Sequence, residues 1–201
     1  MNDFNFIAPF YSSLSRIVFG DTLMKAQTHF FTEIPEGAHV LFVGGGNGDV
    51  LKYCPSSWKI DFLEKSPVML ELAKKKVINH DVQFLQEDFF LFESNQKYHA
   101  VITPFFFDMF SNEQVKKGIE RIKTLHLKPK GIWLFTDFVE NKPNRFKKIL
   151  VKTMYLFFRL TAKLEQQQLP DFEQLFNEIK AKQDSKMLFF GNMIKSNVFR
   201  F

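Results

Sequence analysis

The sequence predicts an α/β fold: a three-layer, doubly wound sheet of seven mostly parallel strands ending in a C-terminal antiparallel hairpin, with helical cap segments around it. Three observations carry this. Short β-rich apolar runs recur along the chain with helical segments between them. The runs lack clean polar alternation, as expected of strands covered on both faces. The chain closes on two apolar runs separated by a single glycine, which reads as a hairpin.

The first five strands are HVLFV at 39–43, KIDFL at 59–63, VQFL at 82–85, AVIT at 100–103 and GIWLFT at 131–136. Crossover helices are expected from PVMLELAKKKVIN, with apolar residues at helical spacing, and from SNEQVKKGIERIKTL, which opens on Ser111 and Asn112, residue types suited to capping. KMLFF and NMIKSNVFRF, on either side of Gly191, supply the last two strands. Two segments fall outside the alternation. Residues 1–35 are expected to form N-terminal cap helices across the mouth of the sheet, and residues 138–184 a helical lid insertion broken near Leu169-Pro170-Asp171. At 201 residues the whole of 1–201 is expected to be one domain.

Composition narrows the class. Apolar residues at 45% and charged residues at 24% describe a globular chain and exclude a disordered one. Lys and Arg exceed Asp and Glu by 27 to 22, an excess that permits an anionic partner without requiring one. A lone cysteine, Cys54, excludes an internal disulfide and a cysteine-rich metal site and suits a reducing compartment. The opening MNDFNFIAPFYSS lacks a secretion signal, and no apolar run reaches membrane-spanning length, so a cytoplasmic location is expected. No metal is expected either. His39 and His99 lie at the entering ends of strands, His126 near a helix end, and His29 and His80 lack a partner spacing.

The sharpest local feature is VLFVGGGNGDVL at 40–51: a strand, then Gly44, Gly46 and Gly48 at alternate positions, then an expected helix. Such glycines let the backbone turn sharply and approach a ligand while the next helix presents its amides. The dinucleotide fingerprint wants its third glycine at the position of Asp49, and an acidic residue there opposes a pyrophosphate. Twenty residues after Gly44, Glu64 ends the second strand, where a carboxylate can accept from both ribose hydroxyls. Asp88 and Phe89 follow the third strand, where they can accept from an adenine amino group and pack on its ring. The pattern implies an adenosine without phosphates.

VLFVGGGNGDVL, IDFLEKSPVMLELAKKK, FLQEDFF, AVITPFFFDMF and LKPKGIWLFTDF, in this order, resemble the successive signatures of class I, Rossmann-like S-adenosylmethionine-dependent methyltransferases. The resemblance spans about residues 39–137, and the terminal hairpin resembles that fold's last two strands. It implies S-adenosylmethionine as cofactor. Gly44, Gly45, Gly46, Asn47 and Gly48 would cradle its methionine portion and Glu64 its ribose. Lys65 and Met69 would pack near the adenosine, Asp88 and Phe89 would hold adenine, and Thr103 and Pro104 would face the reacting methyl. YSSLSRIVFG at 11–20, with the SPVML helix start, is similar to ubiquinone and menaquinone biosynthesis methyltransferases. One departure stands out: the family commonly has an acidic residue two positions before the first glycine, and this chain has Phe42. VLFVGGGNGD also resembles the first signature of spermidine-synthase-type aminopropyltransferases, but TPFFFDMF carries one carboxylate in an apolar setting and suits a polyamine poorly.

Methyl transfer from a sulfonium is an in-line displacement, so the protein chiefly aligns acceptor and methyl and excludes water. A general base is needed only for a protonated hydroxyl. Asp108 and Asp137, after the fourth and fifth strands, and Tyr11 from the N-terminal segment are the catalytic candidates, each against a plain structural role. The segment KPNRFKKILVKTMYLFFRLTAK at 142–163 holds seven basic and no acidic residues among large apolar ones. It reads as a solvated cap helix, as a lid over an apolar acceptor, or as a peripheral contact with an anionic membrane.

The leading expectation is methyl transfer to a small acceptor, aromatic or apolar in view of the Phe-rich 104–110 loop. Nucleic-acid or protein methylation is the second class: Thr103-Pro104-Phe105-Phe106 distantly resembles an Asn/Asp-Pro-Pro-aromatic motif, but the second proline, the Asn or Asp, and any attached nucleic-acid module are missing. A non-catalytic cofactor-binding protein is the third, kept open by Phe42, and an oxidoreductase ranks last. Acceptor identity and oligomeric state do not follow from these residues.

Overall fold

The computed structural model describes residues 19–77, 81–139, 169–179 and 182–201. Seven strands form one sheet in the order β3-β2-β1-β4-β5-β7-β6. They are β1 (His39–Val43), β2 (Lys59–Leu63), β3 (Asp81–Leu85), β4 (Tyr98–Pro104), β5 (Leu127–Phe138), β6 (Lys182–Phe189) and β7 (Ile194–Arg200). The first five pair in parallel, and β7 runs antiparallel to both β5 and β6. Four α-helices are described: α1 (Thr22–Thr28), α2 (Pro67–Lys74), α3 (Asn112–Arg121) and α4 (Phe172–Glu178).

Strand parity sorts the core into two layers. Val40, Phe42, Ile60, Phe62, Ala100 and Ile102 face α2 and the segment around Phe31, Ile34 and Trp58. Leu41, Val43, Leu63, Val101, Trp133 and Phe135 face α3 and α4. Both sets are almost wholly enclosed, which is why these strands read as continuous apolar runs. Burying each large apolar side chain contributes about 1.5–3 kcal/mol.

The helix starts follow local chemistry. Ser66 accepts from the Met69 amide at 3.2 Å, with Pro67 at the first helical position. Ser111 and Gln114 form a reciprocal capping box. Asp171 accepts from the Gln174 amide at 3.0 Å, so the break near Leu169-Pro170-Asp171 opens α4. α1 and a 3-10 turn at Phe31–Glu33 are the described part of the N-terminal segment. Tyr11, His80 and the basic segment 142–163 lie outside the described residues.

One expectation is corrected. The glycine loop is followed by a single 3-10 turn, Leu51–Tyr53, and not by an α-helix. Only residues 49–58 separate Gly48 from β2, and Pro55 bars helical continuation past Cys54. β5 also extends well beyond 131–136 at both ends, because its last seven residues pair with β7.

The sheet order reverses between β1 and β4, both neighbours in one parallel ladder. Loops leaving their carboxyl ends diverge at that point and open a crevice. Among the described residues no helix is long and apolar enough to cross a membrane.

Candidate functional site

The crevice is floored by the glycine loop. Gly44, Gly46 and Gly48 hold φ values of 67°, 59° and 75°, a left-handed region that L side chains enter at a cost of about 1–2 kcal/mol. The glycines differ in what lies above them. A β-carbon on Gly44 would stand 2.5 Å from Cδ2 of Phe106, and one on Gly45 would collide with the Phe62 ring. Among the described residues nothing comes within 4 Å of a β-carbon placed on Gly46, so that position faces open space.

Glu64 ties the loop to the next helix. Its Oε2 accepts from the Gly46 amide at 3.0 Å and its Oε1 from the Ser66 amide at 2.8 Å. Burial raises its pKa, opposed by the backbone amides of Ser66, Gly46 and Lys65. An ionised carboxylate offers about four acceptor sites, so capacity remains for a ligand hydroxyl beside the three amides. At the tip of β3, Asp88 accepts from the Phe90 amide at 2.9 Å and from Lys65 Nζ at 2.7 Å. Burial alone would raise the Asp88 pKa, but Lys65 and the Phe90 amide outweigh it and hold the pKa below the ordinary value. Lys65 thus bridges the β2 and β3 tips.

Other predicted residues are distributed unevenly. Asn47 is nearly buried and exchanges hydrogen bonds with Asp49, which also pairs with Lys76 at 2.7 Å. Met69 is buried under the start of α2. The Phe89 ring is 3% exposed and packs inward against Phe106, Phe107 and His126, while the adjacent Phe90 is half-buried and meets Phe110 edge-on. The Thr103 side chain is fully buried and accepts from Trp133 Nε1 at 2.9 Å, and Pro104 is buried at the end of β4.

Asp137 is completely enclosed. Its Oδ2 accepts from the amides of Phe107 at 2.8 Å and Asp108 at 3.2 Å, and its Oδ1 from the Phe138 amide at 3.0 Å. It staples the turn after β4 to the end of β5. Burial, then the neighbouring charge of Asp108, pushes its pKa well above the usual carboxylate value. Phe105 opens this turn at φ 51°, an uncommon setting for a bulky residue that the surrounding contacts must hold.

Sequence reasoning did not single out Phe106, which covers Gly44, or the aromatic wall at the same end of the sheet. Ring centroids lie 5.0 Å apart for Phe105 and Phe138, 5.5 Å for Phe138 and Phe19, and 4.8 Å for Phe19 and Phe190. The Phe count was a signal, but the meeting of four distant segments was not. Among the described residues no cluster of three or more His, Cys, Asp or Glu is placed to hold a metal.

The strand order, with the glycine loop after β1 tied to the β2 carboxylate, is that of the Rossmann-like methyltransferase fold. Residues 40–131 match the family described as a methyltransferase domain. No curated protein matches the chain. Among solved structures, a methyltransferase in complex with the Haloferax volcanii Trm112 methyltransferase activator aligns with a TM-score of 0.74 at 14% identity, covering 100% of this chain and 98% of that one. DhpI, in its SAM-HEP complex, aligns at 0.72 and 13% identity over 98% and 94%. The Burkholderia thailandensis 1,6-didemethyltoxoflavin-N1-methyltransferase, with bound 1,6-didemethyltoxoflavin and S-adenosylhomocysteine, aligns at 0.67 and 16% over 98% and 87%.

Proposed function

We propose that this chain transfers a methyl group from S-adenosylmethionine to a small aromatic or apolar acceptor by in-line displacement. The observation that carries the reading is Glu64, whose two oxygens join the Gly46 amide to the start of α2 at the tip of β2. A carboxylate so held keeps its remaining lone pairs aimed at a ribose diol. Gly46, with its open α-carbon, admits the methionine portion, and Asp88 receives the adenine amino group. The half-buried Phe90 and Phe110 are better disposed than Phe89 to meet the adenine ring.

The cofactor supplies an electrophilic methyl on a sulfonium, a leaving group that departs without protonation. The chain's task is to orient the acceptor and keep water out. The Phe19, Phe105, Phe138 and Phe190 wall supports an apolar or aromatic acceptor. Asp137, being enclosed, acts through the turn it staples and not as a base in contact with substrate. Bound 1,6-didemethyltoxoflavin in one structural neighbour is compatible with a small acceptor here.

Calorimetric titration with S-adenosylmethionine and S-adenosylhomocysteine, repeated with Asp88→Ala, tests the cofactor half. An acceptor panel of phenols, quinols and polar amines tests the other half. Methylation confined to the polar amines would end the apolar-acceptor reading. A second reading, cofactor binding without turnover, is favoured by Phe42 in place of the family's acidic residue. Tight binding with no transfer across the panel would select it, and salt-dependent retention on RNA or DNA would revive a macromolecular acceptor.

A further inference from the structure

The end of the sheet opposite the crevice gathers positive charge. Lys59 opens β2, Lys97 immediately precedes β4, and Lys128 and Lys130 lie near the start of β5. β1, β2, β4 and β5 run in parallel, so these positions share one end. Among the described residues none of these lysines forms an ion pair. Lys97 donates instead to the Thr124 carbonyl at 2.9 Å. Positive charge left unneutralised at a surface favours an anion.

One contact at this end is mismatched within the protein. The His39 amide donates to His99 Nδ1 at 2.9 Å, and a backbone N–H can only donate. Nδ1 is therefore the accepting nitrogen, and the neutral ring carries its hydrogen on Nε2. Burial, then the charge of Lys128, lowers the His99 pKa and favours that neutral ring. Yet Nε2 stands 2.9 Å from Lys128 Nζ, and an ammonium carries hydrogens and no lone pair. Two donors thus meet without a lone pair between them. An anion oxygen set beside both accepts from each and turns the mismatch into two hydrogen bonds, one of them charge-assisted.

We infer that His99 and Lys128 form a binding site for a phosphate-type oxyanion at the amino ends of β4 and β5, separate from the cofactor crevice. Both residues are half-buried, so an anion reaches them from solvent. A tetrahedral, multiply charged group suits a strand end with several unpaired lysines better than a single carboxylate does. Free phosphate and a phosphate monoester present the same oxygens. The site does not depend on the cofactor reading above.

Nitrogen NMR of the histidine rings tests this while inorganic phosphate, and separately phenyl phosphate, is exchanged for chloride at constant ionic strength. The His99 signal, identified by its loss in His99→Gln, should show the hydrogen on Nε2 and shift saturably with phosphate. We expect Lys128→Met to weaken phosphate about tenfold, with Lys128→Arg within about threefold of wild type and Lys186→Met, at an exposed lysine on β6, within about twofold. Unmoved signals of the other histidines show that each variant is folded. Tighter binding of phenyl phosphate than of phosphate assigns the site to an ester, and the reverse to the free anion. A His99 ring with its hydrogen on Nδ1, a response to phosphate that never saturates, or wild-type affinity in Lys128→Met overturns the inference.

Discussion

The two ends of the sheet handle buried polar groups in opposite ways. At the carboxyl ends, Glu64, Asp88 and Asp137 are held by backbone amides of Gly46, Ser66, Phe90, Phe107, Asp108 and Phe138. At the amino ends, side chains meet side chains: the Tyr98 hydroxyl donates to Asp61 at 2.7 Å, Asp61 Oδ1 stands 3.2 Å from His39 Nε2, and Lys128 Nζ lies 2.9 Å from His99 Nε2. Burial pushes the Tyr98 hydroxyl pKa up, so it remains a donor there. Amides fix a carboxylate while leaving lone pairs for a ligand. A side-chain network of this kind ties strands together and serves stability.

The sharpest break of this comparison is Glu64→Ala. It should cut S-adenosylhomocysteine affinity about 100-fold, since a buried carboxylate with charge-assisted bonds is removed, and it should also lower the urea midpoint, because the Gly46 and Ser66 amides lose their acceptor. At the opposite end, Asp61→Ala should touch stability alone. It strands the Tyr98 hydroxyl and should lower unfolding free energy by about 2 kcal/mol in urea titrations, with cofactor affinity unchanged. Large affinity loss in the second variant would dissolve the distinction between the ends.

Gly46→Ala sharpens the picture within the loop. Among the described residues no neighbour obstructs the added methyl, so the fold bears only the left-handed strain of about 1 kcal/mol, while the ligand's approach is filled and affinity should drop about tenfold. Unchanged binding would place the ligand elsewhere.

His126 offers a pH-dependent test outside both ends. It is fully buried beside Phe89 and Phe92, with neither ring nitrogen hydrogen-bonded among the described residues. Burial first, then Arg121 and Lys97, lowers its pKa to about 4. The unfolded chain binds this proton more readily, so the contribution is present above about pH 6.5 and is lost as pH falls toward 4. His126→Leu should flatten that limb of Tm against pH and raise Tm at pH 5. The smallest effect belongs to Lys65→Gln: its exposed pair with Asp88 should change stability by less than about 0.5 kcal/mol.

Legibility varied residue by residue. Strand positions and the two Ser-capped helices followed from patterns a few residues long, because period and capping are local properties. The absent helix after Gly48 was readable in principle from Pro55, but the strand-and-glycine pattern reads as opening a helix. Thr103 and Phe89 show the harder case. Whether a residue at a strand tip faces ligand or core depends on parity and on the φ/ψ of the next turn, and both side chains turn inward.

The sequence by itself determined the sheet's elements, the glycine loop and the carboxylates at the β2 and β3 tips, since each rests on neighbouring residues and their intrinsic geometry. Only the tertiary structure decided that Glu64 clamps Gly46, that Asp137 is sealed under the turn bearing Asp108, and that four phenylalanines from separate segments form one wall. Those are contacts between residues remote in the chain, set by which strands lie side by side and how the core closes over them.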